Sequence, residues 1–160
     1  MLHAYYDCSK KEKFQTLFGD LWVGKHPTPL QGKFQILHLD FSYVGGSIDK
    51  LEENFNMYLR VKLDGFMRVY QEFYPEDVKE KFFKSDSATE KLALLQDETA
   101  TKNLPLYLII DEYDNFTNTV LNEQGENVYW AITHADGFYR DVFKKFKGMF
   151  ERIFAYFLFA

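Results

Sequence analysis

Residues 104–115 read LPLYLIIDEYDN, and the fold turns on how that stretch is taken. Tyr107, Leu108, Ile109 and Ile110 are apolar without alternation, the pattern of a strand buried on both faces in a parallel sheet covered by helices. Asp111 and Glu112 follow at its carboxyl end, and in open α/β sheets that end is where ligands bind. Two adjacent acids there offer one carboxylate for a hydrated divalent cation and a second for a water molecule. A buried strand running into a solvated acidic turn has the same composition, because Asp and Asn also favour turns through their own hydrogen bonds.

The stretch resembles a Walker B motif. That likeness implies Asp111 holding Mg²⁺ through its water shell and Glu112 orienting or deprotonating the water that attacks ATP. Such acids work with a phosphate loop, in which glycines admit the backbone to phosphate, a Lys reaches the β and γ phosphates, and a Ser or Thr hydroxyl meets Mg²⁺. Residues 19–26, GDLWVGKH, have the glycine and lysine spacing, but His26 stands where the hydroxyl belongs, and Pro27 and Pro29 follow. Each proline removes an N–H and drives the residue before it out of the helical region, so no row of amides points at a phosphate. The preceding KEKFQTLF reads as helix rather than strand. The expectation is a turn followed by an extended connection, and no Walker A loop in the chain.

A chain of 160 residues, 46% hydrophobic and 27% charged, is one ordinary globular domain by size and composition. Its aromatic content is not ordinary: seventeen Phe and eleven Tyr raise it to 19%, which favours a core of large rings and some exposed apolar surface for partners. A net charge of -5 gives no general attraction for phosphate backbones, so nucleic acid is not an expected partner. Cys8 is the sole cysteine, which excludes an intramolecular disulfide and fits a cytoplasmic setting. The opening MLHAYYDC lacks a signal-peptide pattern, and the terminal IFAYFLFA is far short of the ~20 residues a membrane-spanning helix needs.

Along the chain the elements alternate. Residues 1–18 have helical spacing, and residues 33–42, KFQILHLDFS, read as a strand. Gly45 and Gly46 break it, and Ser47 is placed to cap a long helix in which Ile48, Leu51, Phe55, Leu59, Leu63, Phe66, Tyr70 and Phe73 recur every three or four residues. Pro75 suits the first position of a short helix, PEDVKEKFFK, and SATEKLALLQDETA follows as another, with Ser87 and Glu90 as a capping box. A polar stretch, residues 115–127, comes after the acidic strand. Asp136 is placed to cap a helix that aligns Phe138, Val142, Phe143, Phe146 and Phe150, and a last apolar run begins at Arg152. Strand, helices, strand, helix, strand is the order of a parallel α/β sheet flanked by helices.

Several ordered blocks extend the likeness over almost the whole chain. MLHAYYD, LFGDLWVGK with PTPL, LHLDFS, LYLIIDEYDNF, and ITHADGFYRDVFKKFK before RIF resemble the bacterial AAA-ATPase-like family, whose members often carry a PD-(D/E)XK nuclease-like domain after the ATPase core. The resemblance implies an α/β fold, a partial P-loop NTPase (AAA-like) core, with ATP and Mg²⁺ as cofactors. In that family the Walker A loop lies immediately upstream of the helix that MLHAYYD would continue, so Met1 is then an internal methionine. The strand that begins at Arg152, Ile153 and Phe154 normally runs into a polar turn that senses the γ-phosphate, and here it becomes AYFLFA. A single partial domain over residues 1–160, without the nuclease-like domain, is expected to neither bind nor hydrolyse ATP alone. A truncation, a frameshift or a pseudogene fragment would each produce it.

Other residues are weaker candidates. Asp40 ends the second apolar run and would face the same cleft as Asp111, although an acid there also caps or solvates the next turn. Asp114 lies beside the pair, and Arg140 would answer a phosphate or, as an ordinary surface cation, a carboxylate. His3, His26, His38 and His134 have no zinc spacing. Lys144, Lys145 and Lys147 suit the end of their helix. Two other functional classes stay open. A Mg²⁺-dependent nuclease would gather Asp40, Asp111, Glu112 and Asp114, but DEYDN places Asn115, not Lys, after the last acid. A protein-interaction fragment would use the aromatic surplus and an unfinished sheet: with the Walker A strand missing, LYLII is expected to have an unpaired side, or a substitute partner, and to invite self-association.

Overall fold

The computed structural model describes residues 1–102, 105–134, 137–152 and 156–159. The expected cap Asp136 and the residues Ile153 and Phe154 lie outside the described residues, as do the side chains of Ile48 and Phe150. The chain is mixed α/β and mostly helical. Its sheet has three parallel strands, β1 (Gln35–Asp40), β2 (Leu106–Asp111) and β3 (Tyr156–Phe159), in the order β1-β2-β3. The helices are α1 (Leu2–Tyr6), α2 (Phe14–Phe18), α3 (Trp22–Lys25), α4 (Leu51–Tyr70), α5 (Glu76–Lys84), α6 (Ala88–Lys102), α7 (Tyr113–Gln124), α8 (Glu126–Thr133) and α9 (Phe138–Arg152).

Residues 106–110 are all buried, as a strand covered on both faces requires. The two covers differ in depth. Leu37, Leu39, Leu106, Leu108 and Ile110 point into one large core with α4 to α9, whereas Phe34, Ile36, Tyr107 and Ile109 form a small cluster whose further partner is Tyr6 of α1. Most of the aromatic surplus is spent in that large core: Phe55 packs its ring against Phe41, Phe116, Phe138 and Tyr139 at centroid distances of 5.3 to 5.5 Å.

β2 is the central strand, paired with β1 on one side and β3 on the other. LYLII therefore has a partner on both sides, and the side expected to be open is filled by β3. The outer side of β1 is also partly occupied. Gln35 donates its amide to Pro105, so alternate residues turn the other way: the Phe34 amide goes to the Tyr6 carbonyl, the Ile36 amide to the Tyr70 hydroxyl at 2.9 Å, and the Asp40 amide to the Tyr58 hydroxyl at 2.7 Å. Two phenols of α4 thus take bonds that a further strand would otherwise make.

Several boundaries differ from the periodic pattern. Residues 1–18 form α1, a 3₁₀ turn (Cys8–Lys13) and α2 in place of one helix, because Asp7 accepts the Ser9 amide and starts a new turn. Ser47 does not cap α4: a 3₁₀ turn, Ile48–Lys50, intervenes and α4 begins after Lys50 without a side-chain cap. At α6 only half of the capping box forms. The Glu90 amide reaches the Ser87 hydroxyl, but the Glu90 carboxylate takes the Ser85 hydroxyl at 2.6 Å. The polar stretch 115–127 is mostly helical, since Phe116 and Val120, four residues apart, bury one side of α7 in the core.

Candidate functional site

Parallel register sets the candidate acids side by side. Asp40 and Asp111 are partners across β1 and β2, each the last residue of its strand and each partly exposed. Leu39 and Ile110, one residue earlier, face the large core, so both carboxylates rise on the opposite face. Asp40 is engaged by its own turn. It accepts the Ser42 hydroxyl at 2.6 Å and the Ser42 amide at 3.0 Å, and the hydroxyl bond above all holds its carboxyl below the usual Asp range. Asp7 and Ser9 repeat the same Asp-x-Ser geometry, with bonds of 2.7 and 2.8 Å. That spacing is the sequence signal for both turns, and it gives Asp40 a capping role.

Glu112 is exposed and lies between β2 and α7 with φ 53° and ψ 36°, the sole non-glycine residue with positive φ among those described. A left-handed Glu costs about 1–2 kcal/mol relative to the ordinary helical region, and such backbone strain clusters at functional sites. Nothing in the residue type forecasts it, because Asn, Asp and Gly are the usual occupants. Asp114 is exposed in the first turn of α7, where a negative charge suits the helix dipole, and its carbonyl accepts the Thr117 hydroxyl. Arg140 is exposed in the first turn of α9 and is not joined to the strand ends by register. Among the described residues no group of three or more His, Cys, Asp or Glu is placed to hold a metal ion directly. A single carboxylate acting on a cation through water would need no such group, and Asp111 is partly exposed at the end of its strand.

The glycines of GDLWVGKH serve packing. Gly24 is buried in α3, where a Cβ would fall 1.7 Å from the Phe18 carbonyl oxygen, and Gly19 closes α2 with a Cβ position 2.5 Å from the Gln15 oxygen. Their freedom from side chains admits neighbouring backbone; α3, four residues long, occupies the place of the expected turn, and residues 26–29 follow it without helix. His26 caps it, with Nδ1 3.1 Å from the Trp22 carbonyl and its ring on the Trp22 indole. A cavity of about 680 Å³ lies between α4, α6 and α9, lined by Phe55, Asn56, Ser87 and Val142 among others, and none of Asp40, Asp111, Glu112, Asp114 or Arg140 borders it.

Of the four histidines, His3 and His38 approach, with ring centroids 6.4 Å apart, and the His134 ring lies tilted against Trp130 at 3.8 Å. Lys144 pairs with Asp141 at 2.9 Å. No described helix is long and apolar enough to cross a membrane. A family profile described as Predicted AAA-ATPase matches residues 1–159. Neither the curated proteins nor the solved structures gave a match.

Proposed function

Because the chain belongs to the predicted AAA-ATPase family, we propose that it is the part of an AAA-like P-loop ATPase core that carries the Walker B strand, unable to bind or hydrolyse ATP by itself. The observation that supports this most is the placing of Asp111 at the carboxyl end of a central parallel strand, followed at once by the strained Glu112. Asp111 would hold a hydrated Mg²⁺ and Glu112 would orient or deprotonate water. Asp40, bound to Ser42, shapes the neighbouring turn and adds negative charge to the same edge.

The direction of α1 supports the same reading. Its first turn brings His3 near His38, close to the carboxyl end of β1, and its end brings Asp7 beside Phe34 at the start. A phosphate loop preceding α1 would therefore reach the sheet end that bears Asp111. The nucleotide sequence upstream of Met1 tests this: in-frame or mutation-separated coding for a strand and a glycine-rich loop ending in Lys-Ser or Lys-Thr is expected.

Titration calorimetry of the 160-residue chain with ATP and Mg²⁺ tests the inactivity. No saturable heat that is sensitive to Lys25→Ala is expected, since Walker B acids act on a nucleotide held by another loop. Micromolar affinity abolished by Lys25→Ala would make GDLWVGKH a working loop and overturn the reading.

A further inference from the structure

A groove of about 280 Å³ runs along the outer edge of β1 between α1 and α4, bordered by His3, Ser9, Lys10, His38, Lys62 and Gly65 among others. Its charge runs against that of the chain, whose net is -5. Lys10 and Lys62 are both partly buried, and among the described residues neither has a carboxylate within ion-pair distance. Lys62 lies over the Tyr58 ring at 5.4 Å. The carboxylate on the wall, Asp7, is 2% exposed, and one of its oxygens already takes the Ser9 amide, the Ser9 hydroxyl and the Tyr70 hydroxyl.

The strand edge adds a backbone donor. Outward amides at Phe34, Ile36 and Asp40 are taken by the Tyr6 carbonyl, the Tyr70 hydroxyl and the Tyr58 hydroxyl. The same alternation turns the His38 amide outward, and His38 lines the groove. Gly65, in the interior of the twenty-residue α4, lines the same groove. Glycine there costs about 1 kcal/mol relative to Ala, and a Cβ would meet nothing within 4 Å, so packing does not demand it. Because Gly65 lines the groove and a Cβ there meets open space, a long side chain at this position would fill it.

We propose that this groove binds a small phosphate-class oxyanion between the ammonium groups of Lys10 and Lys62, with the His38 amide as backbone donor. Charged donors around a partly desolvated anion give strong hydrogen bonds, and the volume suits a phosphate group better than a whole nucleotide. Free phosphate and the terminal phosphate of a nucleotide share this chemistry. Because none of Asp111, Glu112 or Asp114 borders the groove, the inference stands or falls independently of the ATPase reading.

Amide NMR of the full chain at constant ionic strength, titrated in parallel with inorganic phosphate, Mg²⁺-free ATP and chloride, tests it. A saturable shift of the His38 amide is expected with phosphate, and Lys10→Met or Lys62→Met should weaken it by about tenfold each. Gly65→Leu, at a helix position with free space, should retain the fold and abolish saturation, and Gly65→Ala should keep it with an unchanged or higher Tm. A response to ATP but not to phosphate would assign the nucleotide source. No saturable shift with either anion, an equal response to chloride, or one undiminished in Gly65→Leu would overturn the proposal.

Discussion

Cys8 shows how a single side chain reports its surroundings. Burial, followed by the charge of Asp7, pushes its thiol up to about 11, so the reactive thiolate is scarce at neutral pH. Alkylation by iodoacetamide, followed by mass spectrometry, should be slow at pH 7 and keep accelerating towards pH 11. A plateau already reached near pH 9 would contradict the burial. Tyr58 makes a related test. Burial raises its phenol to about 12, against about 10 in an unfolded chain. The fold thus favours the neutral form, and that stabilisation is whole below pH 10 and is lost as pH rises from 10 to 12. Urea melts across this window should show falling stability, with a shallower fall in Tyr58→Phe. At Glu112 the strain is in the backbone. Glu112→Gly should raise the unfolding free energy by about 1 kcal/mol, read from the same melts, because glycine enters the left-handed region freely.

Among the elements, α4 and α6 are joined by an ion pair that their hydrophobic spacing conceals. Lys91 is 1% exposed, donates to Asp64 at 2.5 Å and lies 4.6 Å from the centroid of Phe82. Asp64→Ala leaves that ammonium buried without its carboxylate and should cost about 3 kcal/mol in urea denaturation, the low end for a buried pair because Asp64 keeps some contact with water. Lys91→Met retains the apolar packing and should cost less. Where burial follows a simple pattern, the elements were legible: the unbroken apolar run of β2, the part of the long stripe from Leu51 to Tyr70 that forms α4, and, on α9, Phe138, Val142, Phe143 and Phe146 against the core. Sequence patterning failed where local polar bonds competed with it. Asp7 interrupts the first helix through Ser9, and the Asn and Thr residues of α7 hid the Phe116 and Val120 pair. The side-by-side placing of Asp40 and Asp111 was expected, but the backbone of Glu112 and the tyrosine contacts with β1 depend on tertiary packing that a linear pattern does not encode.

For the whole molecule, the order β1-β2-β3 relocates the surface open to association. Phenols from α4 occupy much of the outer side of β1, and β3 pairs on one side only among the described strands, so we expect another chain to add at β3. Deleting residues 153–160 removes the partner of Tyr107 to Ile110 and should increase self-association, seen as a concentration-dependent rise in mass by light scattering after size exclusion. A deletion variant that stays monomeric over a tenfold concentration range would mean that β2 does not rely on β3 for cover. The tyrosine contacts also bear on the order of folding. Tyr58 and Tyr70 stand twelve positions apart on one helix, and each closes an amide of β1. The strand cannot keep its edge protected while the helix is away, so the two must open together. Deuterium uptake at Ile36 and Asp40 will therefore keep time with the undocking of α4.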